Sequence, residues 1–160
     1  MAGAISDVKV TFISDEVLAD PNGFSASAQV ANNAALTLGG ALADGGAVTL
    51  GSARTVSITS GGDDRSISFT VVGTDLDGVS LTESITGVNN SAATGSKFFK
   101  TIVSITAVGD PAGTVLAGTT AVAADIIFGG RTRLKGYSIV SGGTAGVIEF
   151  VNGEPNGGGS

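Results

Sequence analysis

Polar and apolar residues alternate along most of the chain, the period of a strand whose two faces meet different surroundings. Residues 8–13, VKVTFI, place Val8, Val10 and Phe12 on one face. DEVLADPNG at 15–23 is the best candidate for a helical turn, ended quickly by Pro21 and Gly23. FSASAQV at 24–30 predicts a strand of small residues. The local repeat ALTLGG-ALADGG-AVTLG at 35–51 predicts two short strands around an Asp-Gly-Gly turn. RTVSITS at 54–60, SISFTVV at 66–72 and VSLTESITG at 79–87 follow, joined by GGDD and GTDLDG turns. They predict a three-stranded meander with Ile67, Phe69 and Val71, then Val79, Leu81 and Ile85, facing inward and Glu83 as the exception. KFFKTIVSITAVG at 97–109 is longer than an ordinary strand and should bend or carry a bulge. Ile102, Val103 and Ile105 cannot share one face of a regular strand, which predicts burial on both sides for part of its length. GTVLAGT at 113–119, ADIIFGG at 124–130, RLKGYSIV at 133–140 and AGVIEFV at 145–151 complete the set.

One frame occurs twice. SITSGGDDRSISF at 57–69 returns as SIVSGGTAGVIEF at 138–150. The second copy predicts a hairpin with Ile139, Ile148 and Phe150 as core contacts. The first copy continues into another strand, whereas the second runs into NGEPNGGGS. An unpaired apolar edge at Val147–Val151 would invite aggregation. Either a neighbouring subunit covers it, or the natural chain extends beyond residue 160.

No segment carries ten residues of helical periodicity with caps at both ends. About ten short strands and Gly-rich turns predict an all-β fold, a β-sandwich or a jelly-roll-like barrel with little or no helix. Three stretches suggest themselves: an N-terminal strand or arm region at 1–53, a central meander at 54–118 and a C-terminal hairpin unit at 119–160. They would pack as one domain or as two small units.

Composition sharpens this picture. Charged residues are 14% of the chain, against about 25% in a typical soluble domain, so Ser, Thr, Gly and Ala must cover the surface. Such a surface suits an assembly component that is covered by neighbouring subunits. A net charge of −6 argues against binding nucleic acid phosphates. The one basic cluster, RTRLK at 131–135, puts Arg131, Arg133 and Lys135 on one strand face, fit for a solvated surface or an inter-subunit salt bridge. His and Cys are both absent, which removes the usual general base, the thiolate nucleophile and the commonest metal ligands. The start MAGAISDVKV lacks the pattern of a secretory signal, and AVAADIIF at 121–128 is too short to span a bilayer. Synthesis in the cytoplasm, with no membrane partner, is the expectation.

Candidate chemistry is sparse. Asp75-Leu76-Asp77-Gly78 resembles part of a calcium loop, but the further ligands such a loop needs are missing and Glu83 stands at the wrong distance. A turn that uses Asp and Gly for its backbone explains Asp75 and Asp77 better, and the same holds for Asp63-Asp64. No spacing selects a pair among the fourteen acids for glycosidase chemistry, and Tyr137 is the one Tyr in a chain with no Trp. No phosphate-cradling motif, catalytic residue or cofactor site emerges.

The run 54–118 combines a TVSITS strand, a GTDLDG turn, an LTESITG strand and an FKTIVSI strand. In that order it resembles a segment of tailed-bacteriophage virion proteins, and RTRLKGYSIVSGGTAGVIEFVNG resembles a segment found beside it. The resemblance implies a β-rich, non-enzymatic component of the particle that decorates or cements the capsid as a homo-oligomer. Its partners would be its own copies and the major capsid protein, or tail and neck proteins. The interface candidates are Val147, Ile148, Phe150, Val151, Arg131, Arg133 and Lys135. The alternatives are a tail, neck or fibre protein that contacts the host, and a calcium-dependent extracellular repeat.

Overall fold

A computed structural model describes residues 18–126, Gly136 and residues 147–150. The described residues are all-β. Eight strands form one open antiparallel sheet: β1 (Asp20–Gln29), β2 (Ala43–Asp44), β3 (Ala47–Ser60), β4 (Ser68–Thr74), β5 (Ser80–Thr86), β6 (Ala92–Thr94), β7 (Phe99–Val108) and β8 (Thr114–Ala124). The spatial order is β1-β8-β3-β7-β4-β5, with β2 and β6 also paired to β3. No helix among the described residues is long and apolar enough to cross a membrane.

β3 organises the sheet because it is long enough to hold two sets of neighbours. Val48 and Thr49 pair with Ile102 and Thr101 of β7, while Ala53–Ser60 pair with β8. On the other side of the second half, Ser57–Thr59 pair with β6. The register shifts between Thr49 and Arg54 toward β7, and between Arg54 and Val56 toward β8. Such irregularities bend a strand and increase its twist. β3 therefore turns from one wing of the sheet into the other. It opens from a two-residue hairpin loop: Asp44 pairs with Ala47, and Gly45 and Gly46 sit at φ +58° and +83°. Two successive positive φ angles define the tight turn whose twist matches the flanking strands, as the Asp-Gly-Gly sequence predicts. The first piece of that repeat forms no strand. Ala35 makes a lone bridge to Thr106, with Leu36 and Leu38 buried beneath.

One hydrophobic cluster runs through the sheet, from Phe24 of β1 through Val56 and Ile58 of β3 to Phe69, Val71 and Ile85 of β4 and β5. With no helix in the described residues to cover a face, such burial requires the sheet to curl and the 30–43 connection to close over it. Val30, Leu36 and Leu38 supply that cover.

Three expectations need correction. β1 begins at Asp20, so Asp20–Gly23 is strand and not the end of a helical turn. An edge position tolerates Pro21 there, since its missing N–H takes nothing from the ladder. The predicted meander holds only in its second half: β4 pairs with β5, but its other neighbour is β7 and not β3. The reason is a buried anchor after β3. Asp64 accepts the Ala112 amide through Oδ1 at 2.7 Å, and its own N–H donates to Val88 O, so the chain is tied down before a hairpin can form. Finally, β7 is not buried on both sides. Gly73 pairs with Ile102 and Val72 with Ser104, leaving Val103 as an extra residue. This bulge shifts the phase, so Ile102 and Ile105 are both fully buried while Val103 is 56% exposed. The opposing Gly73 is required: a Cβ there would sit 1.9 Å from Thr101 O. The stretches proposed from sequence are crossed by strands, β3 running through residue 54 and β8 through residue 118.

This phase shift has a direct test. Ile102→Ala should cost about 2–5 kcal/mol in chemical denaturation, whereas Val103→Ala should stay within about 0.5 kcal/mol. Equal losses would contradict the bulge. Gly73→Ala should cost about 1–3 kcal/mol by overpacking, and Gly39→Ala, which meets open space, should change the midpoint little.

Candidate contact surfaces

The charged and polar side chains of the described residues are engaged mainly with backbone. Asp75 Oδ1 accepts the Asp77 and Val79 amides at 3.0 and 2.9 Å, and Gly78 at φ +79° completes the turn. This carboxylate stabilises the β4–β5 turn, and Asp77 contributes its amide to it. Among the described residues no three of His, Cys, Asp or Glu gather where a metal ion could sit. Asp63 takes a two-pronged grip from Arg65, Nε to Oδ1 at 2.8 Å and Nη2 to Oδ2 at 2.7 Å. The hydrogen bond from Arg65 holds the Asp63 carboxyl below its usual range. The sign follows: stabilisation is present above the ordinary carboxylate range and is lost as pH falls through the lowered value. Both groups are solvent-exposed, so the effect on stability is small. A shallow depression lined by Asp63, Arg65 and Ser66 accompanies this pair. Asp64 is fully buried, with Oδ2 left without a hydrogen-bond partner.

Glu83 was the exception in the strand pattern, and the structure shows why it is tolerated. Its carboxylate is nearly buried and Oε1 accepts the Ser96 amide at 2.6 Å, the Ser96 hydroxyl at 3.1 Å and the Lys97 amide at 3.3 Å. Gly95 passes so close that a Cβ would lie 2.4 Å from Oε2. Lys97 Nζ returns a bond to Thr82 O at 2.9 Å, and the Gly95 amide donates to Val56 O of β3. The sheet ends at β5, yet side chains stitch that end back to the segment after β6. Val79, expected inside, is 60% exposed.

The two edges of the sheet differ. β1 is defended: Pro21 lacks a donor, the register breaks twice, and the 39–42 connection covers it, with Gly39 and Gly40 donating to Phe24 O and Leu42 to Gly23 O. β5 pairs with β4 through seven consecutive residues without a bulge. Among the described residues no strand pairs with its other edge, which carries Ser80, Thr82, Ser84 and Thr86, all exposed, with neither Pro nor Lys among them. Because Gly87 N bonds to Ile67 O and Asp75 N to Val79 O, the odd-numbered residues face β4. The even-numbered backbone groups therefore point outward. Lys97 occupies one of them, Thr82 O.

The outer face beside this edge is a field of hydroxyls. Across β5, β4 and β7 the rows read Ser80-Thr74-Thr101, Thr82-Val72-Ser104, Ser84-Thr70-Thr106 and Thr86-Ser68-Val108. Thr49 of β3 extends the first row. Thr74 and Thr101 hydroxyls bond at 2.7 Å. No charged side chain stands in these rows.

Of the interface residues expected from sequence, Val147, Ile148 and Phe150 are described and lie outside every strand. They are 95%, 57% and 46% exposed, so the expectation that Ile148 and Phe150 enter the core is overturned. The strand expected to pair with them in a hairpin, at 138–140, lies outside the described residues. Arg131, Arg133, Lys135, Val151 and Ile139 lie outside the described residues. Sequence reading missed the β5 edge and the role of Glu83. A signal for the latter was present, since Glu83 stands in phase with Leu81 and Ile85 and a buried acid requires donors.

The stitch is testable. Glu83→Ala would leave two backbone amides without an acceptor and should lower stability by about 1–3 kcal/mol. Faster hydrogen exchange should appear at the Ser96 and Lys97 amides, with Glu83→Gln intermediate. Unchanged exchange there would show that the segment is held by other means. Comparison with family models, with curated proteins and with solved structures finds no match for the chain.

Proposed function

We propose that this chain is a non-enzymatic structural component of a bacteriophage particle that works through subunit contacts, decorating or cementing the capsid. The observation that carries a contact role is the β5 edge, seven residues long, unbroken, uncharged in its outward side chains and continuous with a hydroxyl face. A lone soluble protein blunts such an edge, as this one does at β1. Leaving β5 ready to pair is consistent with a partner that covers it. The phage assignment rests on the order of the TVSITS, GTDLDG, LTESITG and FKTIVSI segments. In this reading the sheet is rolled in the manner of a sandwich or jelly roll, the partners are its own copies and the major capsid protein, and the location is the virion. No catalytic role, cofactor, nucleic acid or membrane belongs to it. Attachment at the neck or tail, or in a host-binding fibre, is the second reading; the scarcity of aromatic residues, Tyr137 being the one Tyr beside no Trp, disfavours a glycan-binding fibre.

Quantitative mass spectrometry of purified particles tests this. The expected result is the protein at a copy number comparable to that of the major capsid protein. A count of only a few copies per particle would move it to the neck or tail, and its absence would remove the virion role.

A further inference from the structure

The outer edge of β5 matches a second copy of itself. Among the described residues no strand pairs with β5 on the side away from β4. Side-chain exposure points the same way. On the outer face Ser68, Thr70, Val72 and Thr74 of β4, flanked by strands on both sides, are all half-buried, whereas Ser80, Thr82, Ser84 and Thr86 of β5 are all exposed. A further strand along β5 would cover them as β5 and β7 cover β4. Set antiparallel to its own copy, the edge meets its outward donors and acceptors in reverse order, which is what an antiparallel ladder requires. Charge restricts how two such edges join. If Thr82 faced its own copy, the two Lys97 ammonium groups, each bonded to Thr82 O, would come together. If Glu83 faced its own copy, two carboxylates would stand directly opposite, a destabilising pair. With Ser84 on the axis, Thr82 meets Thr86 and the two lysines stand about 14 Å apart along the strands, beyond the screening length at physiological salt. Longer shifts leave little of the strand paired.

We infer that β5 of one copy pairs antiparallel with β5 of a second copy across a twofold axis at Ser84, joining two sheets into one. Thr82, Ser84 and Thr86 supply the ladder, each exchanging its outward N–H and C=O with the other strand. Lys97 stays in place, since a carbonyl oxygen carries two lone pairs and Thr82 O can accept a second donor. On the inner face Ile85 of one copy comes opposite Glu83 of the other, whose carboxylate is already held by the Ser96 and Lys97 amides. On the outer face the row Thr106-Thr70-Ser84 runs on into the same row of the second copy in reverse. No charged side chain stands in the outward row of β5, so the net charge of −6 is not concentrated at the contact. A twofold pairing closes on itself, so the edge is used up in the dimer and no filament grows from it. This inference rests on the reading of the chain as an assembly component, and it names the surface through which copies join.

The chain has no Cys, so a single introduced thiol reports on its own surroundings. At the axis the two Cα atoms would lie about 5.5 Å apart, inside the range a disulfide spans. In the full chain under mild oxidation, Ser84→Cys should therefore cross-link into a dimer at least about tenfold faster than Thr82→Cys or Ser104→Cys, the last on interior β7. Sedimentation equilibrium of the wild type, from sub-micromolar to high-micromolar concentration, should show monomer and dimer and nothing larger. Ser84→Pro, which removes an outward amide, should weaken dimerisation at least about tenfold with the far-ultraviolet circular dichroism unchanged. If that variant misfolds, the cysteine series decides by itself. A wild type that stays monomeric would overturn the inference, as would equal cross-linking of the three cysteines. Dimers that survive Ser84→Pro would place the contact on another surface, and faster cross-linking of Thr82→Cys would remove the axis at Ser84. Absence from particles would end the virion reading while leaving dimerisation measurable, so the two fail separately.

Discussion

The ladder along β3 carries the constraint on which the other strands depend. Among the described residues no helix covers the sheet, so the sheet must bury its own face, and it does so by bending the strand that both wings share. β3 does this around Arg54, where the register shifts toward β7 and toward β8 within a few residues. Val56 and Ile58 are then fully buried, and on the opposite face Thr55 and Ser57 are buried as well. That second face is polar, and Thr55 meets Thr120 through their hydroxyls. A strand buried on both faces tolerates hydroxyls where a partner is available, and Ser57 Oγ is one of the few left without one. The four ladders of β2, β6, β7 and β8 all terminate on this strand.

The wing that ends at β5 would otherwise splay. Its closure uses one carboxylate in place of a ladder, since Glu83 gathers the amides after β6 and Gly95 binds Val56 O. A charge-assisted bond to backbone N–H is stronger than a neutral one, which suits a single point of closure. It also leaves the edge itself open. A ladder there would have used up the outward groups of Ser80, Ser84 and Thr86; a side-chain stitch holds the curvature and spares them.

Much of the local structure was legible in the sequence. Inward Ile67, Phe69 and Val71 follow from period two, and Asp44-Gly45-Gly46 reads as a hairpin turn because two positive φ angles admit little else. The unusual length of the 97–109 run announced a bulge in β7, while the crowding of Ile102, Val103 and Ile105 was misleading about burial on both sides. Topology was not legible. Nothing in GGDD distinguishes a hairpin turn from an anchored crossing, because what decides is the Asp64 carboxylate meeting Ala112, forty-eight residues away in sequence. The same limit applies to the contact surface. Ser and Thr at alternate positions of β5 read as an ordinary solvated face, and only the lack of a second neighbouring strand among the described residues makes them an edge. Val147, Ile148 and Phe150 were legible as apolar strand residues but not as exposed ones, since alternation gives a residue's phase and not what lies against it.

The low charge content takes on a structural meaning when the charged groups are followed to their partners. Asp64, Asp75 and Glu83 accept backbone amides, while Arg54, Lys97 and Lys100 donate to backbone carbonyls of Leu18, Thr82 and Gly51. Asp63 and Arg65 hold each other. These side chains act as local fasteners for turns and strand ends, where a short-range charge-assisted bond is worth most. The outer face is thereby left to hydroxyls, as the Ser/Thr rows of β5, β4 and β7 show. Desolvating a hydroxyl costs far less than desolvating a charge, and a hydroxyl both donates and accepts. A neutral face of this kind can therefore come against another surface without the long-range repulsion that a net charge of −6 would otherwise impose. What such a face offers to any surface brought against it is geometry: the spacing of hydroxyls across three strands, the row of outward backbone groups on β5, and the one lysine placed at its centre.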